Sequence, residues 1–217
     1  MLRRLLAEGL GSLLLAATVI GSGVMAEQLS AGNAAIALLA NTAATVAVLA
    51  TLIALLSPAS GAHFNPVVSL VMAIKKSLTW RDAMSYCVVQ IIGCCMGALL
   101  AHSMFELPLL QTSTHVRSGS SQCLGEFVAT FGLLLVILGH RRKQDAPWMV
   151  AAWIGAAYWF TSSTSFANPA ITIARSLSNT FSGIRPMDAP GFIVAQIAGA
   201  LIAMWLGMWL FAPQRSR

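Results

Sequence analysis

Two short stretches decide how this chain folds: Gly61-Ala62-His63-Phe64-Asn65-Pro66-Val67 and Ser165-Phe166-Ala167-Asn168-Pro169-Ala170. In each, asparagine stands immediately before proline. Asparagine is a favoured helix N-cap, because its side-chain oxygen takes up an otherwise unpaired backbone N–H. Proline is tolerated in the first helical turn, where its missing N–H costs nothing. Each pair therefore predicts a helix start. The apolar runs that follow, about 65–75 and 168–178, are roughly half the ~20 residues that a bilayer requires.

Outward from these two segments the chain is built of longer apolar stretches. Six are long enough to span: 5–25, 34–56, 83–104, 122–139, 147–165 and 190–211. Apolar residues make up 57% of the chain and charged residues 9%, with a mean hydropathy of +0.76. A soluble domain carries about 25% charged residues, so this is an integral membrane protein. The net charge of +6 then reads as topology and not as nucleic-acid binding. Arg3, Arg4, Lys75, Lys76, Arg81, Arg141, Arg142, Lys143, Arg215 and Arg217 fall on the side of the N-terminus, against Arg117, Arg175 and Arg185 opposite. That asymmetry predicts cytoplasmic termini. The apolar run after Met1-Leu2-Arg3-Arg4 carries Glu8 and precedes many further spans, so it reads as a retained helix. Trp80, Trp148, Trp205 and Trp209 suit interfacial anchors.

Three landmarks recur in order. Glu8, Asn65-Pro66-Val67 and Gln90-Ile91-Ile92-Gly93 are followed by Glu126, Asn168-Pro169-Ala170 and Gln196-Ile197-Ala198-Gly199, at offsets of 118, 103 and 106 residues. They divide one domain, 1–217, into repeats of about 1–105 and 120–213. Three spans per repeat is an odd number, so the second copy enters from the opposite face, as an inverted repeat. The two short helices then meet near the midplane, where irregular backbone survives only if it is buried in protein or lines a polar cavity.

Each half-helix presents about half a positive charge at its N-terminus, and two such ends facing one passage oppose cations. The Asn65 and Asn168 amides would donate to a solute oxygen. Carbonyls of Gly61, Ala62, His63, Ser163, Thr164 and Ser165 would accept from it. Neutral hydrogen-bonding solutes fit this arrangement and inorganic ions do not.

On these residues the chain resembles the aquaporin (major intrinsic protein) superfamily over its whole length. The resemblance implies an all-α bundle of six spanning helices and two re-entrant half-helices, with one pore in each subunit of a homotetramer. It implies that Glu8 and Glu126 brace the re-entrant loops by accepting backbone N–H bonds. Val67 replaces the usual alanine of the first motif, at the packing of one half-helix on the other.

Counted as in the family, the outer constriction is expected at Thr45, Ala156 or an immediate neighbour, Ser165 and Ile171. Most members carry an arginine where Ile171 stands, so a wide, less polar filter is predicted. Arg175, one turn further on, is expected either to line the outer vestibule or to bind loop carbonyls or lipid. Small filter residues with a hydrophobe at the arginine position are similar to bacterial aquaglyceroporin-type channels encoded with arsenic-resistance genes. The stretches Ile171-Thr172-Ile173-Ala174-Arg175-Ser176 and Thr180-Phe181-Ser182-Gly183-Ile184-Arg185-Pro186 carry that likeness. It implies passage of arsenite and methylated arsenicals, with glycerol as a fellow substrate, in a bacterial inner membrane. A general water and glycerol facilitator is the alternative.

An ion-coupled transporter would need a titratable midplane site, yet the acids within spans are the two braces. An enzyme or metal site is equally unsupported. His63, His102, His115 and His140 share no metal-ligand spacing, and His63 is expected to bond loop backbone. Cys87, Cys94, Cys95 and Cys123 have no C-x-x-C spacing and read as small buried hydrophobes. No cofactor is expected.

Overall fold

The computed structural model describes residues 1–140, 142 and 144–212. Arg141, Lys143, Arg215 and Arg217, counted above among the basic residues, lie outside the described residues. The order is α1 (Leu2–Leu29), α2 (Ala34–Ser60), α3 (Pro66–Ile74), α4 (Trp80–Met104), α5 (Ser120–Gly139), α6 (Ala146–Phe160), α7 (Pro169–Ser176) and α8 (Ala189–Leu210). The described residues contain no strand.

Helices α1, α2, α4, α5 and α8 are each long and apolar enough to cross a membrane. The fifth expected span, 147–165, is helical only over Ala146–Phe160, 15 residues. That is about 22 Å at 1.5 Å per residue, short of the ~30 Å hydrocarbon core. The hydroxyl-rich run after Phe160 supplies the reason, since serine and threonine side chains compete with helical hydrogen bonding. The Ser162 hydroxyl donates to the Ser121 carbonyl at 2.8 Å, and the Ser163 hydroxyl accepts from the Ser165 N–H at 3.2 Å. Helix α2, by contrast, runs past the expected end at 56 and through Pro58. It stops where Gly61 takes a left-handed φ of 94°, a conformation glycine adopts without steric cost.

The bundle repeats its own packing. Helix α1 lies against α4 and α2, and α5 lies against α8 and α6. A β-carbon added to Gly93 would run into the Gly9 carbonyl, and one added to Gly199 into the Phe127 carbonyl. Gly9 and Phe127 are separated by the same 118 residues as Glu8 and Glu126, so one close helix crossing is built twice. Trp80, Trp148, Trp205 and Trp209 are exposed on the outside of the bundle. The main apolar core draws on both repeats, from Ile20 of α1 to Ala203 of α8. The half-helices α3 and α7 sit at the centre, each touching the other, α4 and α8.

Candidate functional site

The two re-entrant loops share one backbone scheme. Gly61, Ala62 and Phe64 have positive φ in the first loop, and Thr164, Ser165 and Ala167, each 103 residues later, have positive φ in the second. Left-handed backbone at a non-glycine residue costs of order 1–3 kcal/mol, so something must hold these loops in place. Glu8 and Glu126, both fully buried, do so. Glu8 accepts from the backbone N–H groups of His63 at 2.9 Å and Phe64 at 2.7 Å, from the Ser60 hydroxyl at 2.6 Å and from Gln90 Nε2 at 2.8 Å. Glu126 accepts from the N–H groups of Phe166 and Ala167, both at 2.8 Å, and from Gln196 Nε2 at 2.6 Å. Hydrogen bonds to a charged group contribute about 1.5–3 kcal/mol each, enough to offset the strain. The same glutamines donate to Ser69 at 3.1 Å and Thr172 at 2.9 Å, tying each brace to its half-helix.

Asn65 and Asn168 cap α3 and α7 from extended backbone. Asn65 Oδ1 accepts from the Val67 N–H at 3.1 Å, and Asn168 Oδ1 from the Ala170 N–H at 2.9 Å. Their amide nitrogens are partly committed. Asn65 Nδ2 donates to the Ala167 carbonyl at 2.8 Å and Asn168 Nδ2 to the Phe64 carbonyl at 2.7 Å, so each loop is fastened to the other. An amide carries two N–H bonds, which leaves one on each asparagine for a solute. Pro66 and Pro169 occupy the first helical turns, and Val67 and Ala170 are buried behind them.

A cavity of about 720 Å³ passes these tips. Its wall runs from His140 and Gln144 on the face of the N-terminus, past Gly61, Ala62, His63, Asn65 and Asn168, to Thr45, Ser165, Ile171 and Arg175 toward the opposite face. Ala156 is not on this wall. It is exposed on the outside of α6, while Ile154 and Tyr158 face the cavity. Those two are four residues apart and share a helix face, whereas Ala156 lies two from each and points away. The inward position therefore belongs to Tyr158, whose hydroxyl is 3.4 Å from Thr45 Oγ1. An aromatic thus stands at a level where small residues only were expected.

Ser163 and Thr164 are also displaced from expectation, since the second loop joins the cavity wall only from Ser165 onward. The Ser163 carbonyl instead accepts from Arg117 at 3.4 Å. Arg117, in the segment between α4 and α5, reaches into the loop by donating to Gly183 at 2.8 Å, and its guanidinium lies 5.2 Å from the Phe166 ring centre. The guanidinium of Arg175 covers the same ring at 3.3 Å. Arg175 is 2% exposed, and its Nε donates to the Ser182 carbonyl, so it is a buried wall residue and not an open vestibule charge. His63 Nδ1 pairs with the Ser69 hydroxyl at 3.1 Å, where a backbone partner was expected. His102 joins Leu109 O and Ser178 Oγ, at 2.8 and 2.9 Å. Cys94 is buried, while Cys87, Cys95 and Cys123 are half-buried.

A bilayer-spanning inverted repeat, with two capped half-helices meeting beside one continuous cavity, defines a membrane channel. The chain belongs to the major intrinsic protein family, whose model matches residues 1–162. It is 53% identical to aquaglyceroporin AqpS of Rhizobium meliloti, over 98% of this chain and 92% of that protein. A probable glycerol uptake facilitator of Thermotoga maritima is 28% identical over 95% and 98%. The aquaglyceroporin structure from Plasmodium falciparum superposes with a TM-score of 0.73 at 19% identity, covering 98% and 97% of the two chains, which identifies the fold. The protein is thus a multi-pass membrane channel and not an enzyme.

Proposed function

We propose that the passage conducts small neutral polyhydroxylated solutes, glycerol and the hydroxides of metalloids such as arsenous acid among them, passively and down their gradients. The observation that carries this reading is Ile171. It borders the cavity directly after the Asn168-Pro169-Ala170 cap and brings no hydrogen-bond donor or charge. A channel reserved for water profits from a narrow, strongly donating constriction. Here Ile171, with Thr45, Tyr158 and Ser165, makes a wall of mixed polarity that matches a solute having both hydroxyls and an apolar side. The chain's likeness to an aquaglyceroporin and to a probable glycerol uptake facilitator supports a solute pathway of this kind. On the same reading the protein is a homotetramer in a bacterial inner membrane with cytoplasmic termini, as the basic residues suggest.

Stopped-flow light scattering on proteoliposomes tests the reading. Wild type should pass water, glycerol and arsenous acid. Ile171→Arg should lower the two solute permeabilities roughly tenfold, about 1.4 kcal/mol of barrier, while water flux persists. A wild type that passes water alone overturns it.

A further inference from the structure

The outer part of the cavity contains a charge that the conduction of neutral solutes does not use. Arg175 has its Nε–H on the Ser182 carbonyl, but its Nη1 is buried with no hydrogen-bond partner. The Ser165 hydroxyl, on the same cavity wall and 2% exposed, is likewise without a partner. No carboxylate among the described residues pairs with the charge. Among the described residues the ion pairs are Arg4 with Asp82 and Arg185 with Asp188, and neither includes Arg175 or Arg117. Arg117 spends its donors on the neutral carbonyls of Gly183, Ser163 and Phe181. Glu126 spends its oxygens on Phe166, Ala167 and Gln196. Two guanidiniums therefore flank one phenyl ring, and one of them belongs to the cavity wall and has its Nη1 unpaired. An unpaired buried charge is costly unless a counter-ion meets it, and the planar guanidinium edge matches a pair of oxygens on one acid group.

We propose that Arg175, with the Ser165 hydroxyl as a second donor, forms a binding site for a small monoanionic oxyacid on the face remote from the termini. An anion seated there occupies the passage and slows neutral solutes. The site itself stands on the unpartnered groups, and only the slowing rests on the conduction reading above.

The probe is methanesulfonate, which has no neutral form at working pH, compared with chloride at equal ionic strength. The melting temperature of the detergent-purified protein should rise with methanesulfonate concentration and saturate, since a ligand that binds only the folded state stabilises it. Arg175→Met should abolish the rise, and Arg175→Lys should retain it with roughly tenfold weaker apparent affinity. Where Arg175→Met does not fold, Ser165→Ala serves, with apparent affinity several-fold weaker. Equal melting temperatures of wild type in the two salts overturn the site, as does a rise that survives both Arg175→Met and Ser165→Ala. In proteoliposomes, saturating methanesulfonate should at least halve wild-type glycerol permeability, and an unchanged permeability overturns the slowing. Should wild type pass no glycerol at all, the conduction reading fails while the melting series still decides the site.

Discussion

Asn65 and Asn168 are each other's mooring: the amide of the first donates to the Ala167 carbonyl beside the second, and the amide of the second to the Phe64 carbonyl beside the first. Each asparagine thus caps its own half-helix and anchors the opposite loop. Replacing either by alanine removes a cap worth about 1 kcal/mol and leaves a buried carbonyl unpaired at about 1–3 kcal/mol. Asn65→Ala and Asn168→Ala should each destabilise the protein by about 2–4 kcal/mol in thermal unfolding. The double variant should lose less than the sum, because the two bonds share one loop junction.

Tyr158 and Ala156 separate cavity wall from outer surface along α6. Tyr158→Ala should widen the passage at Thr45 and raise glycerol permeability relative to water. Ala156→Leu, on the exposed side, should leave both permeabilities unchanged in the same stopped-flow assay. A change with Ala156→Leu comparable to that with Tyr158→Ala would reverse the assignment.

Much of the architecture was legible because its causes are local. Asn-Pro favours a helix start through its own side chain and ring, and a glutamate inside an apolar run demands buried hydrogen-bond partners. The parts that escaped depend on rotation and docking. Counting back from Asn168 reaches Ala156, but the cavity-facing side of α6 follows from how the helix turns against α2, which spacing does not encode. The early end of α6 did leave a trace, the hydroxyl run Thr161-Ser162-Ser163-Thr164-Ser165. Arg117 left a fainter one, as the only arginine or lysine between α4 and α5. Its partners at Gly183 and Phe181 are more than sixty residues away.

Gly93 and Gly199 permit the two repeat-related helix crossings. Gly93→Ala and Gly199→Ala would each force backbone apart, and overpacking of this kind costs about 1–3 kcal/mol. Thermal unfolding should show similar losses for the two, whereas Gly9→Ala, whose added β-carbon would meet Val89 only at ordinary contact distances of 3.7 and 3.8 Å, should lose less.

The Asp188 carboxyl, just before α8, is held below the usual carboxylate range chiefly by its bond from Arg185, at 2.9 Å. Its other oxygen accepts the Arg117 backbone N–H at 2.9 Å. A depressed folded value means that the stabilisation is complete above the unfolded pKa of about 3.9 and is lost as pH falls through the folded one. The melting temperature of Asp188→Asn should therefore lie below wild type by a constant amount from pH 7 to about 5, and the two should converge in stronger acid. A gap that persists undiminished at the acid end would show that the bonds do not depend on the charge.

The reciprocal amide bonds across the midplane also bear on where such a chain comes from. One repeat by itself would leave its asparagine amide and a loop carbonyl facing hydrocarbon, so it is not a viable object in a bilayer. A half-length chain would need a second copy lying upside down to satisfy these groups, and so would have to insert both ways round. Fusion of two such genes would fix one orientation for each copy, after which the charges flanking each half were free to diverge.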